Sequence, residues 1–148
     1  MADQIILLVE DNAGDEALTL RALRQNRILN DVMVVRDGAE ALDYLYSKGG
    51  HAGRDPSLPQ IVLLDLNLPK IGGLDVLKAI RSEETTKLLP VIILTSSKED
   101  RDVVAGYALG ANSYIVKPVD FRQFSEAVRQ LGLYWLVLNQ PPPAGTRR

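Results

Sequence analysis

The stretch Ile61-Val62-Leu63-Leu64-Asp65-Leu66-Asn67-Leu68-Pro69-Lys70 decides the fold. Its first four residues form an unbroken apolar run of strand length, the pattern of a strand covered on both faces. Asp65 closes the run, and a loop carrying Asn67 and Pro69 leaves it. Placing an uncompensated carboxylate at the end of a buried strand is unfavourable. In an open parallel sheet, that same strand end is where ligands bind. What offsets the charge of Asp65 is therefore the first question about function.

Working outward, four more apolar runs resemble 61–64: 4–9, 31–35, 91–94 and 113–116. Helical patterns lie between and after them. Asn12 is an N-cap, with Asp15 and Glu16 in the first turn and Leu18, Ala22 and Leu23 behind it. Segments 38–47 and 73–82 carry apolar residues at helical spacing. A fourth helix opens at Ser96 or Ser97 and runs through Ala108, with Gly110 at its C-terminal cap. Asp120, with Gln123 three residues on, opens a fifth. The chain is thus an α/β protein of (βα)5 type. Its doubly wound parallel five-stranded sheet takes the flavodoxin-like order 2-1-3-4-5, with an extended C-terminal helix. Residues 48–59 form a long loop. The stretch 141–148 opens with three prolines and is expected to be disordered.

Composition narrows the function. A chain of 148 residues with 46% apolar and 24% charged residues suits one soluble domain. A net charge of −2 argues against nucleic acid. The absence of cysteine excludes disulfides, thiol catalysis and cysteine-ligated zinc. The single histidine, His51, falls in a Gly-rich loop and reads as a solvated side chain. No run is long enough to span a bilayer and no leader-like segment opens the chain, so a cytoplasmic location is expected.

The topology gathers polar residues at one sheet edge. Glu10 and Asp11 end the first strand, Asp65 the third, Thr95 the fourth and Lys117 the fifth. Carboxylates packed this closely repel one another unless a cation or a reaction holds them. The donors are hard oxygens, which select Mg²⁺, with Mn²⁺ as a substitute. A lysine and a hydroxyl beside them suit an incoming phosphoryl group. No Walker-type loop and no dinucleotide fingerprint occurs. What remains is a carboxylate that itself accepts a phosphoryl group.

Several stretches together resemble the receiver domains of two-component response regulators. They are Leu8-Val9-Glu10-Asp11-Asn12, Leu63-Leu64-Asp65-Leu66-Asn67-Leu68-Pro69, Gly72-Gly73, Ile93-Leu94-Thr95-Ser96 and Tyr114-Ile115-Val116-Lys117-Pro118. The resemblance implies a single receiver domain over 1–140 with Asp65 as phosphoacceptor. It implies Asp11 and Asp65 as metal ligands, Asn67 contributing its backbone carbonyl and Glu10 acting through water. Lys117 would bind the phosphoryl oxygens, Thr95 and Tyr114 would form a switch on the α4–β5–α5 face, and Lys117–Pro118 would be cis. The Leu-Asn-Leu-Pro-Lys run, the long loop and the Tyr134-Trp135-Leu136 segment are similar to single-domain regulators of the cyanobacterial and bacterial phytochrome type. That implies a sensor histidine kinase as partner, a phytochrome among the candidates. It also implies a stoichiometric acceptor rather than a turnover enzyme.

Phe121, Phe124, Val128, Leu131, Trp135 and Leu138 step by three and four, the spacing of a helical seam. The end of that helix is apolar nearly all round, so a symmetric homodimer through it is expected. Removing the cation is expected to destabilise the fold, and Asp65→Asn to relieve that. Two other readings stay open. One is a pseudo-receiver adaptor that never takes phosphate. The other is an Asp-nucleophile phosphatase, which needs an acid two residues after Asp65, where Asn67 stands.

Overall fold

A computed structural model describes residues 5–54, 57–117 and 120–140. The Lys117–Pro118 peptide and the 141–148 stretch lie outside the described residues. Five strands alternate with five helices: β1 Ile6–Val9, α1 Ala13–Gln25, β2 Val32–Val35, α2 Gly38–Tyr46, β3 Ile61–Leu64, α3 Gly73–Ser82, β4 Val91–Thr95, α4 Asp100–Ala108, β5 Ser113–Val116 and α5 Phe121–Gly132. The strands pair in parallel in the order β2-β1-β3-β4-β5, as the sequence pattern predicts. The register sets Val9 beside Leu64, Leu64 beside Ile93 and Thr95 beside Val116. β1, β2 and β3 therefore finish level, β4 and β5 run two residues further, and the residues after them share one rim.

The unbroken apolar runs follow from this architecture. Neighbouring strand residues point to opposite faces, and both faces are covered. Leu7, Val9, Val62, Leu64, Val91 and Ile93 pack with α2 and α3 through Ala41, Leu45, Val76, Leu77 and Ile80. Ile6, Leu8, Ile61, Leu63, Ile92 and Leu94 pack with α1 and α5 through Ala22, Leu23, Phe124, Val128 and Leu131. The Asn26 side chain ties α1 to α5, donating to the Ser125 carbonyl at 3.0 Å.

Four local expectations are corrected. First, α4 begins at Asp100 rather than at Ser96 or Ser97. The Ser97 carbonyl is held by a tertiary partner, Tyr114, whose hydroxyl donates to it at 2.9 Å. Second, Asp120 caps α5 by accepting from the Arg122 N–H at 2.7 Å, without Gln123. Third, His51 is not solvated: its ring bonds Glu40 at 3.2 Å and meets the Tyr44 ring edge-on. Its loop is ordered by Arg54, which donates twice to the Tyr44 carbonyl and lies 3.8 Å over the Tyr44 ring.

Fourth, the last helix changes pitch. It is α-helical through Gly132 and π-helical over Leu133–Leu138, closed by the Asn139 N–H on the Tyr134 carbonyl. Gly132 sits against Ile28, where a Cβ would lie 2.4 Å from Ile28 Cδ1, so a side chain there would force Ile28 to shift. Of the predicted seam, Phe124, Val128 and Leu131 belong to the protein's own core. Phe121 and Trp135 pack against that core, and Leu136 joins them. Leu133, Tyr134, Val137 and Leu138 remain 47–70% exposed. No helix among the described residues is long and apolar enough to cross a membrane.

Candidate functional site

The rim where the strands end holds one lysine among three carboxylates. Asp65 directly follows β3, its N–H donating to the Val9 carbonyl at 3.1 Å and prolonging the β1–β3 ladder. The first turn of α3 presses against it from below. A Cβ on Gly73 would lie 2.3 Å from the Asp65 carbonyl oxygen, so only glycine fits. Glu10 follows β1 and bonds the Val35 carbonyl through its N–H. Lys117 follows β5, its N–H on the Thr95 carbonyl at 2.8 Å. Ladder bonds thus fix the backbone of each residue before any side chain is considered.

The side chains converge. Thr95 Oγ1 donates to Asp65 Oδ1 at 2.7 Å, and the Asn67 N–H reaches the same oxygen at 3.2 Å. Lys117 Nζ donates to Asp65 Oδ2 at 3.1 Å, to Asp15 Oδ2 at 3.0 Å and to Glu10 Oε1. Thr95 is fully buried. The Glu10, Asp65 and Lys117 side chains are 2%, 8% and 9% exposed, and that of Asp15 is 38% exposed.

The electrostatics separate the carboxylates. Burial pushes Glu10 up to about 7, against an ordinary 4.5, and the Asp65 charge adds to that despite the pull of Lys117. Burial also acts on Asp65, but the Thr95 hydroxyl, the Lys117 charge and the Asn67 N–H outweigh it and hold its carboxyl below the usual range. Burial works against the charge of Lys117, yet Glu10, Asp65 and Asp15 together raise it. At neutral pH Asp65 is an ionised carboxylate beside an ammonium, and the strain of burial falls on Glu10.

The oxygens of Glu10, Asp15 and Asp65 lie within 4.8 Å of one another and could hold a metal ion. All three are hard donors, and once ionised they leave, together with Lys117, a net charge of −2, which suits a divalent cation. The placement of the predicted residues is mixed. Glu10, Asp65, Thr95 and Lys117 meet at hydrogen-bond distance. Asn67 joins them through its backbone N–H on Asp65. Asp11 is solvent-exposed and outside the carboxylate cluster. Asp15, read from the sequence only as a first-turn acid, stands inside it. Its signal was present: Thr19 and Leu23 are buried on α1, and stepping back four residues from Thr19 reaches Asp15. Tyr114 does not touch Asp65. It lies under α4, where Gly106 leaves room for its ring, and anchors Ser97, whose hydroxyl donates to Asp102 at 2.5 Å.

Comparison with known proteins agrees with this geometry. The family model described as the response regulator receiver domain matches residues 6–129. The phosphorylated cyanobacterial phytochrome response regulator RcpA is 39% identical, over 95% of this chain and 99% of its own, with a TM-score of 0.87. The Mn²⁺-bound form of Rcp1, a Synechocystis protein, is 34% identical, over 94% of this chain and 99% of its own, with a TM-score of 0.86. The bacteriophytochrome response regulator RtBRR is 50% identical, over 97% of this chain and 87% of its own, with a TM-score of 0.77. With five parallel strands in the order 2-1-3-4-5 and an acid–hydroxyl–lysine set at their ends, the chain belongs to the response regulator receiver family.

Proposed function

We propose that this protein is a phosphorelay receiver that accepts a phosphoryl group on Asp65 from a histidine kinase of the phytochrome type. One observation carries the reading: the Asp65 carboxylate is gripped on one oxygen by Thr95 and on the other by Lys117. An ionised carboxylate presented this way is a nucleophile with its countercharge and hydroxyl donor already positioned. One Asp65 oxygen attacks phosphorus. The new O–P bond forms as the N–P bond of the donor phosphohistidine breaks, its electron pair leaving on the imidazole. Lys117 neutralises charge on the phosphoryl oxygens, and Thr95 offers its proton to one of them. Mg²⁺ or Mn²⁺, when bound, supplies further positive charge at the reacting oxygens. Asp65, Asp15 and Glu10 fit it by geometry, and Asn67 and Asp11 by the resemblance. Water later hydrolyses the acyl phosphate, so the protein is a resettable stoichiometric acceptor and not a turnover enzyme.

The partner assignment rests on RcpA, Rcp1 and RtBRR, whose whole lengths this chain nearly covers. Thr95 and Tyr114 form the switch: the Thr95 hydroxyl, now on Asp65, passes to a phosphoryl oxygen and so pulls on the loop that Tyr114 anchors through Ser97. The output face is α4–β5–α5. Its exposed Leu133, Tyr134, Val137 and Leu138 form the homodimer surface. Incubation with acetyl phosphate tests the acceptor role. The native chain gains one phosphoryl group in Mg²⁺ and none in chelator, and Asp65→Asn gains none in either. Equal labelling of Asp65→Asn would defeat the assignment.

A further inference from the structure

The loop that follows Asp65 is braced from two sides. The first turn of α3 closes its near end, where the Gly73 N–H donates to the Leu66 carbonyl at 3.0 Å. The far end meets the first turn of α2, which the mechanism has not used. Gly38, buried there, faces the loop: a Cβ on it would lie 2.0 Å from the Ile71 carbonyl oxygen, the closest approach of any described glycine. Its N–H points to the Pro69 carbonyl at 3.4 Å. Asp37 caps the helix by accepting from the Glu40 N–H at 2.7 Å and turns its other oxygen to Lys70 at 3.5 Å. Residues 69–71 thus all meet the start of α2. Lys70 holds a left-handed φ of 67°, a conformation that a residue with a side chain keeps only where its surroundings impose it.

Between the two braces lies Asn67. It is exposed, so burial does not fix it. It sits in the turn closed by the Leu68 N–H on the Leu66 carbonyl at 3.1 Å, and its own N–H donates to Asp65 Oδ1 at 3.2 Å. We propose that Gly38 is a positioning residue for phosphoryl transfer. Having no side chain, it lets the start of α2 abut residues 69–71 and so keeps the Asn67 N–H on the Asp65 carboxylate. The inference rests on the acceptor role of Asp65. A methyl group at position 38 would meet backbone, which no rotamer change can move aside. The loop would have to swing outward and carry the Asn67 N–H from Oδ1. Thr95 alone would then hold that oxygen, and the carboxylate would lose the orientation in which it attacks.

The test compares the native chain, Gly38→Ala, Asp37→Asn and Leu45→Ala. Phosphorylation by acetyl phosphate is followed in saturating Mg²⁺, and the Asn67 amide signal is read by NMR in the metal-free proteins. Leu45, buried at the other end of α2, serves as the control for lost stability alone. Gly38→Ala is expected to lower the maximal rate about ten- to a hundredfold, the cost of a small misplacement of reacting groups, and to move the Asn67 signal. Asp37→Asn keeps the helix cap, since asparagine caps as well. It loosens only the Lys70 contact, so it should lower the rate about twofold. Leu45→Ala should melt earlier yet keep both the rate and the Asn67 signal. A native rate or an unmoved Asn67 signal in Gly38→Ala would overturn the proposal, as would an equal rate loss in Leu45→Ala. Were Gly38→Ala not to fold, an unchanged rate in Asp37→Asn would overturn it. A native chain that takes no phosphoryl group would instead overturn the acceptor reading, and this inference with it.

Discussion

Glu10 is the residue on which the energetics turn. Its carboxyl, pushed up to about 7 by burial against an ordinary 4.5, binds its proton more tightly in the folded chain than in the unfolded one. Below pH 4.5 both states hold the proton and Glu10 contributes nothing. Between 4.5 and 7 the unfolded state alone has lost it, so stability falls as pH rises; above 7 the full penalty is present. At about 1.4 kcal/mol per pKa unit, that penalty reaches up to about 3 kcal/mol. Urea unfolding in chelator should show this decline across pH 4.5–7, and Glu10→Gln should abolish it. An identical slope in Glu10→Gln would contradict the account. Asp65 behaves oppositely. Its carboxyl lies below the ordinary 3.8, so its contribution stabilises the fold at neutral pH and is lost as pH falls through the folded value. This pairing shifts the expected burden of the metal-free site from Asp65 to Glu10: in chelator Glu10→Gln should stabilise the fold, and Asp65→Asn should not. The sequence places both acids at the rim, but which one is disfavoured depends on Thr95 and the Asn67 N–H reaching only Asp65.

Among the elements, the β3–α3 junction is the most tightly constrained. Gly73→Ala would drive a methyl into the Asp65 carbonyl. It should lower stability by about 1–3 kcal/mol, and it should slow phosphorylation more than that loss explains, because Asp65 itself is displaced. Normal acceptor kinetics in a destabilised Gly73→Ala protein would separate packing from positioning and contradict this. The strands and the first three helices are legible from local pattern because their faces are covered by regular neighbours. The start of α4 is not, because Tyr114 bonding Ser97 is a contact between residues 17 apart. The π-helical end of the chain escapes for a similar reason: Gly132 packs on Ile28, a residue distant in sequence and adjacent only in the fold. Tyr114 also makes the switch testable. Beryllofluoride with Mg²⁺ should shift amide signals across α4, β5 and α5. Shifts limited to the neighbours of Asp65 would remove Thr95 and Tyr114 as the relay.

For the whole molecule, the proposed function uses two surfaces: the acidic rim and the α4–β5–α5 face. The helical seam read from the sequence divides between core and surface, because residues at three-and-four spacing first serve the domain's own packing. What remains exposed is Leu133, Tyr134, Val137 and Leu138. Replacing Tyr134, Val137 and Leu138 with serine should leave the fold intact by circular dichroism, since exposed side chains contribute little to it. The same changes should convert a sedimenting dimer to monomer. A dimer that survives them would place the interface elsewhere.

The central claim is that one carboxylate in this acidic rim, and no other, becomes an acyl phosphate. Borohydride reduces an aspartyl phosphate to homoserine, so peptide mapping after Mg²⁺ and acetyl phosphate treatment reads the acceptor directly. Homoserine at position 65 alone is the predicted result. Reduction at Glu10, Asp11 or Asp15, or at no residue, would contradict it.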